Sequence, residues 1–315
     1  MSNLKSYLRT VALTTQLPCN PSWYNEVIDY GLNNEVEVYP MTHKDEILIH
    51  NPDALFSGNS VSQILTSCVP AIKKVDDLYM PDVEALLLAI KIASVGDELE
   101  TYNICPECFE KYKSLSEEER NKLVEEKKLS IEPQTFIFEA KNALDSMEKL
   151  PNEFIVDIND AIKVYIKPLT LKENTTYELN NFIVQNKIQE FIRNSKDVEA
   201  NTNMLTDFEK WNENRLKNEE FNNLLTELDK VAAEMLRVSI KYITLNGEIL
   251  TNEEDINELL DNISKDKFDL IKQTATEANR SRINKTYACE CKYCGHKWSN
   301  DNLNFNFANF FGKGS

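Results

Sequence analysis

The chain has 315 residues, 52 of them Asp or Glu and 35 Lys or Arg, giving a net charge of −17 with 42% hydrophobic and 28% charged residues. That length can bury a sizeable core without disulfides, whereas so acidic a surface repels a phosphate backbone, whose binding depends on releasing counterions to Lys and Arg. Only seven glycines occur, which excludes the Gly-rich phosphate loops of nucleotide-binding enzymes, because those need several glycines at short spacing.

In chain order, the first twenty residues lack a continuous apolar run followed by a small-residue cleavage site, so a reducing compartment is expected. Residues 36–46, VEVYPMTHKDE, alternate as a strand does, stop at Pro40 and continue into Thr42 and Asp45, a pair that predicts a helix start. Residues 164–174, VYIKPLTLKEN, repeat this strand-to-helix arrangement with Thr170 and Glu173. VSQILTSCV reads as a helix ended by Pro70, and PDVEALLLAIKIASV as a buried helix ended by Gly96. The latter is interrupted by Lys91 and falls short of the roughly 20 apolar residues that a membrane helix needs, so no membrane partner is expected.

SLSEEERNKLVEEKK is charged on most faces and predicts a solvated connecting helix with a Ser116–Glu119 capping box. QTFIFEA, NEFIVDI and AIKVYIK have strand lengths and strand patterns, which predicts a small sheet within 134–167. From about residue 170 to 282 a helical period dominates. Phe221, Leu224, Leu225, Leu228, Val231 and Met235 in FNNLLTELDKVAAEMLRVSIKYI fall at three- and four-residue steps and form a stripe expected to face the core. Asn246 and Gly247 mark a hairpin-like turn, and Thr251 with Glu254 predicts one more helix start. The expected fold is α+β and mainly helical: an N-terminal strand–helix unit over 1–100, a zinc-ribbon-like domain with a small sheet over 101–168 plus 284–315, and an inserted helical domain over 169–283.

Seven cysteines sort by spacing. Cys19 and Cys68 are isolated and read as small buried hydrophobes. Cys105 and Cys108 form CPEC, and Cys289, Cys291, Cys294 and His296 lie in CECKYCGH. Two Cys-x-x-Cys turns can each aim two sulfurs at one ion, so the set Cys105, Cys108, Cys291 and Cys294 predicts one structural zinc per chain. Cys289 or His296 can replace one ligand, and redox-active or merely buried thiols are the remaining reading. Roughly 180 residues separate the pairs, which is tolerable because loop-closure cost grows only logarithmically with length. Four thiolates close the coordination sphere against water, so catalysis at such a metal is not expected.

In the tail, NLNFNFANFFGKGS, Leu303, Phe305 and Phe307 alternate with asparagines, and Phe310 and Phe311 follow near the terminus. These aromatics either cover the ribbon's own core or form a hook, Phe310 and Phe311 foremost, that docks into a partner.

Read together, VEVYPMTHKDEILIHNPDALFSGNSVSQILTSCV, PDVEALLLAIKIASVG, the first Cys-x-x-Cys, and a terminal Cys-x-x-Cys-Gly-His with a FANFF ending resemble the baseplate hub assembly proteins of T-even-like contractile-tailed bacteriophages. The resemblance covers roughly residues 36–110 and the last 30, and the middle helical block adds little to it. It implies a non-enzymatic hub component or hub assembly factor that binds other baseplate hub or tail proteins in the host cytoplasm during assembly, with residence in the virion's tail baseplate left open. No catalytic residue carries over, and no nucleic acid or small-molecule substrate is implied. Two other readings compete. A zinc-ribbon nucleic-acid-binding or transcription-associated protein is opposed by the acidity. A hydrolase or transferase using scattered carboxylates has no spacing to support it, since neither H-E-x-x-H nor a nucleophile elbow is present.

Overall fold

The alternating residues near the start of the chain form a hairpin in which β1 (Leu13–Gln16) and β2 (Glu35–Val38) pair antiparallel, with Leu13 opposite Val38. The computed structural model describes residues 9–49, 59–126, 128–199 and 207–301. Past β2 the Asp45 carboxylate accepts hydrogen bonds from the Thr42 N–H (2.8 Å) and hydroxyl (2.7 Å), opening α1 (His43–Ile49) as the sequence predicts. After α2 (Asn59–Cys68) comes α3 (Met80–Val95), which is apolar on nearly all sides, as a helix surrounded by protein must be. Gly96 ends it with a φ of 102°, in the left-handed region that a side chain would strain.

β3 (Glu98–Asn103) leads into α4 (Pro106–Ser114) and α5 (Glu117–Glu125), the latter opened by the Ser116–Glu119 box. β4 (Gln134–Glu139) then pairs antiparallel with all of β3, placing Gln134 opposite Asn103. α6 (Ala140–Asp145) and the β5 (Phe154–Asp157) to β6 (Ile162–Ile166) hairpin follow. The second capping pair is also formed, Thr170 N–H donating to Glu173 at 2.9 Å, and starts α7 (Leu171–Glu199). α8 (Asp207–Ser239) runs back along α7, with Phe191 stacked on Phe221 at 5.6 Å and Lys187 paired with Glu227 at 2.8 Å. β7 (Ile240–Leu245) and β8 (Glu248–Leu250) complete a four-stranded sheet of order β5-β6-β7-β8. α9 (Glu253–Asn262), α10 (Lys265–Asn279) and a hairpin of β9 (Tyr287–Glu290) and β10 (Lys297–Asn300) follow. The result is a mixed α/β fold, about half helical, with small sheets.

Four local expectations change. The strands within 134–167 do not form one sheet: β4 pairs with β3, while β5 and β6 join β7 and β8. Residues 240–245 are a strand rather than the end of a helix, because Ile240, Tyr242 and Ile243 fit a half-buried pleated surface and pair with β6. Strand β1 is absent from the sequence reading, since LTTQ becomes a strand only against β2. The cap of α9 is Asn252, whose side-chain oxygen accepts from the Asp255 N–H at 2.7 Å, one residue past the predicted Thr251.

One large core joins β1, β2, α2, α3, the β3–β4 pair, the four-stranded sheet and α10; a second, small cluster holds Cys105, Cys108, Leu129 and Cys291, and Trp298 touches both. The loop between β1 and β2 is tied to this core by a buried carboxyl. Asp82, in the first turn of α3, accepts from the Cys19 N–H (2.8 Å) and the Tyr24 hydroxyl (2.7 Å), and the Tyr24 oxygen in turn accepts from the Tyr79 N–H (3.0 Å). Burial pushes the Asp82 carboxyl up to about 6, opposed by those hydrogen bonds.

Tyr24→Phe strips Asp82 of a donor and the Tyr79 N–H of its acceptor, and should cost about 2–4 kcal/mol in urea unfolding with an unchanged m value. Folded Asp82 keeps its proton up to about pH 6, whereas the unfolded chain releases it at about pH 4. The folded state therefore holds the extra proton in that window, and this group's contribution to stability is full below about pH 4 and is lost as pH rises through 6. The stability of the wild type minus that of Asp82→Asn should fall by about 2 kcal/mol between pH 4 and 7; a flat difference across that range would refute the assignment.

Candidate metal centre

The sequence CPEC folds into the start of a helix. Cys105 is the N-cap of α4, Pro106 occupies the first turn where its missing N–H costs nothing, and the Cys108 N–H points at the Cys105 Sγ, 3.5 Å away. This places both sulfurs on the same side of the turn. The second arm, CKYCG, is the loop of the β9–β10 hairpin. There the Cys291 N–H donates to the His296 carbonyl (2.9 Å) and the Gly295 N–H to the Cys291 carbonyl (3.0 Å). Gly295 has a φ of 72°, the left-handed conformation that closes the turn and leaves Cys291 and Cys294 facing the first arm.

The two arms meet. Cys105 Sγ lies 3.6 Å from Cys294 Sγ, Cys108 Sγ lies 3.7 Å from Cys291 Sγ, and all four sulfurs fall within 4.8 Å of one another. These separations exceed the ~2.05 Å of a disulfide. They match the ~3.8 Å edge of a tetrahedron whose metal–sulfur bonds are ~2.3 Å long. The four cysteines could therefore hold a metal ion, and the all-sulfur donor set fits a thiophilic one.

The environment differs from sulfur to sulfur. Burial pushes the Cys108 thiol up to about 12 and also raises Cys105. For Cys291 burial acts upward as well, but hydrogen bonds from the Cys294 backbone, the Gln134 amide and the Tyr293 backbone outweigh it and bring the thiol down to about 6. Cys105, Cys108 and Cys291 are buried and Cys294 is exposed, so the fourth sulfur closes the site from the solvent side.

The remaining candidates lie elsewhere. Cys289 sits on β9 opposite Trp298, in the main core rather than in the four-sulfur group. The His296 ring stacks on Trp298 with centroids 5.8 Å apart. Phe310 and Phe311 lie outside the described residues. Sequence reasoning missed Gln134, which appears there only as the start of a strand yet reaches both Cys291 Sγ (3.2 Å) and the Lys292 N–H (2.9 Å). It missed also the fixing of the hairpin by Trp298 on Phe136, 5.4 Å apart at 78°, and by Tyr287 on Phe138. No local signal announces such long-range contacts.

In comparison with known proteins, residues 21–312 fit the family described as T4 bacteriophage base plate protein. The match runs through the helical block that contributed little to the resemblance seen in the sequence. Neither a curated protein nor a solved structure matches the chain.

A metal entering this site must displace the protons held by Cys105 and Cys108. Its affinity should then rise by about a hundredfold or more per pH unit between pH 6 and 8. Titration with Co(II), followed through its thiolate charge-transfer absorption, measures this. An affinity independent of pH would mean that these thiols are not the ligands.

Proposed function

The chain belongs to the T4 bacteriophage base plate protein family, and on that premise we propose that it is a component or assembly factor of the baseplate hub, acting through protein–protein contact and stapled by one structural zinc. The observation that carries the zinc is the spacing of four sulfurs drawn from two arms 183 and 189 residues apart. With Cys105, Cys108, Cys291 and Cys294 as ligands, no coordination position is left for water, so the ion supplies folding free energy rather than catalysis. The cluster around the sulfurs supports this role. Among the described residues Leu129 is its one buried apolar member besides the cysteines, with Tyr112, Leu115, Leu123, Tyr293 and Trp298 half-buried at its margin. That is little apolar surface with which to hold α4, α5 and the β9–β10 loop together, and a metal replaces the missing core.

The mechanism is rigid presentation of surfaces to other tail proteins, without an enzymatic step. The α7–α8 hairpin offers one such surface: Leu179, Phe182 and Ile183 share a face of α7 at the i, i+3, i+4 spacing and are 45%, 46% and 44% exposed. The division into an N-terminal unit (1–100), a metal-stapled unit (101–168 with 284–315) and a helical insertion (169–283) belongs to this proposal. So does a hook formed by Phe310 and Phe311. Assembly in the host cytoplasm followed by residence in the virion suits a base plate protein, and the described helices include none long and apolar enough to cross a membrane.

Protein purified without chelator should contain one zinc per chain by elemental analysis, and Cys108→Ser combined with Cys294→Ser should be insoluble or protease-sensitive. Iron in place of zinc, or no metal, would remove the zinc proposal. Deletion from Asn309 onward should weaken capture of other tail proteins from infected-cell extract more than it lowers the unfolding midpoint; unimpaired hub assembly by the truncated chain would count against the hook.

A further inference from the structure

Gln134 stands at the first position of β4, is 6% exposed, and lies 157 residues from Cys291 in sequence. Its amide spans the metal-binding loop. The carbonyl oxygen accepts from the Lys292 N–H at 2.9 Å, which fixes the amide orientation and turns Nε2 toward Cys291 Sγ at 3.2 Å. Lys292 N–H can only donate and a metal-bound thiolate can only accept, so a side chain that carries both an acceptor and a donor satisfies both groups. A Glu here would meet the sulfur with a second anion, and an apolar residue would strip the Lys292 N–H of its acceptor and leave Cys291 Sγ with the Tyr293 and Cys294 backbone donors but without the Gln134 amide.

Resting on the metal reading above, we propose that Gln134 is the positioning residue of the centre: it holds Cys291 at its coordinating place and relays metal occupancy to the docking of the β9–β10 hairpin on the β3–β4 sheet. The relay has a short physical path. β4 continues from Gln134 to Phe136 and Phe138, which pack edge-on against Trp298 and Tyr287 of the hairpin. At the same end of the ladder Asn103, paired with Gln134 across β3 and β4, donates to the Tyr287 hydroxyl and accepts from the Asn300 amide (2.6 Å). Gln134 is thus where the sulfur cluster and the sheet that seats the hairpin are joined by hydrogen bonds. Groups in this position orient a ligand atom and raise affinity by excluding its unproductive arrangements.

The test uses the full chain as wild type, Gln134→Ala, the volume-conserving Gln134→Met, and Ile137→Ala on the exposed side of β4 as a control for general damage to the strand. Zinc affinity is measured by chelator competition, the ligand field by the charge-transfer bands of the Co(II) form, and hairpin docking by hydrogen exchange of residues 287–300. Expected are a loss of about 10–100-fold in zinc affinity for both Gln134 variants, a shift of the Co(II)-thiolate bands, and faster exchange in the hairpin, all absent in Ile137→Ala. Wild-type affinity and spectra in the Gln134 variants would overturn this inference and leave the metal reading standing. Failure of both Gln134 variants to fold at saturating zinc would also overturn it, since the residue would then be serving the core at large. A wild type that binds neither zinc nor Co(II) would overturn the metal reading itself.

Discussion

The structure depends on the convergence of two thiol pairs from distant parts of the chain. Closing loops of 183 and 189 residues carries an entropic cost, but that cost falls on the main core rather than on the sulfurs. Packing of Phe138 on Tyr287 and of Phe136 on Trp298 already brings the final hairpin to the β3–β4 sheet. The sulfurs then need only local adjustment. Core packing that seats the hairpin makes so large a sequence separation compatible with sulfurs that meet at 3.6 and 3.7 Å. It also explains why the cluster around the sulfurs can be so small.

A comparable economy governs the helical hairpin. α7 and α8, of 29 and 33 residues, leave β6 and return to β7, which are adjacent and antiparallel strands, and Tyr165 stacks on Tyr242 across that junction at 4.3 Å. The sheet closes at the base of the excursion, so the hairpin, about 45 Å long at 1.5 Å per residue, can present a long surface without disturbing the core beneath it. At the opposite end of the chain the buried Asp82 does a different job. It gathers the Cys19 N–H and the Tyr24 hydroxyl around the first turn of α3, where the helix dipole favours a carboxylate. Burial nevertheless outweighs those favourable contacts, and the proton is held toward neutrality.

Features carried by a few neighbouring residues were legible in the sequence. The Thr42–Asp45, Ser116–Glu119 and Thr170–Glu173 caps, the turn at Asn246 and Gly247, and the end of α3 at Gly96 follow from local chemistry that tertiary packing does not override. The pairing of CPEC with CKYCG was legible too, because two Cys-x-x-Cys turns can each aim two sulfurs at one ion. What could not be read was partnership between strands. QTFIFE, FIVD and IKVYI look alike one by one, and their division between two sheets is decided by β3 and β7, far away in sequence. Gln134 was hidden for the same reason: its role exists only when β4 lies beside the β9–β10 loop. Asp82 was concealed by being an ordinary acidic residue near a helix start, where exposure is the usual state.

The hairpin that carries Cys291 and Cys294 is also the last described element before the tail. β10 ends at Asn300, and Trp298 within it contacts both the main core and the sulfur cluster. Phe310 and Phe311 follow at about ten residues' distance, a span of at most roughly 35 Å of extended chain. If the proposed hook is gripped by a partner, the pull would fall on β10, which Asn103 and Phe136 hold to the β3–β4 sheet. On the proposed reading, metal occupancy and partner binding would then act on one short hairpin. A structural ion here would influence assembly through the geometry of this hairpin, without touching the partner.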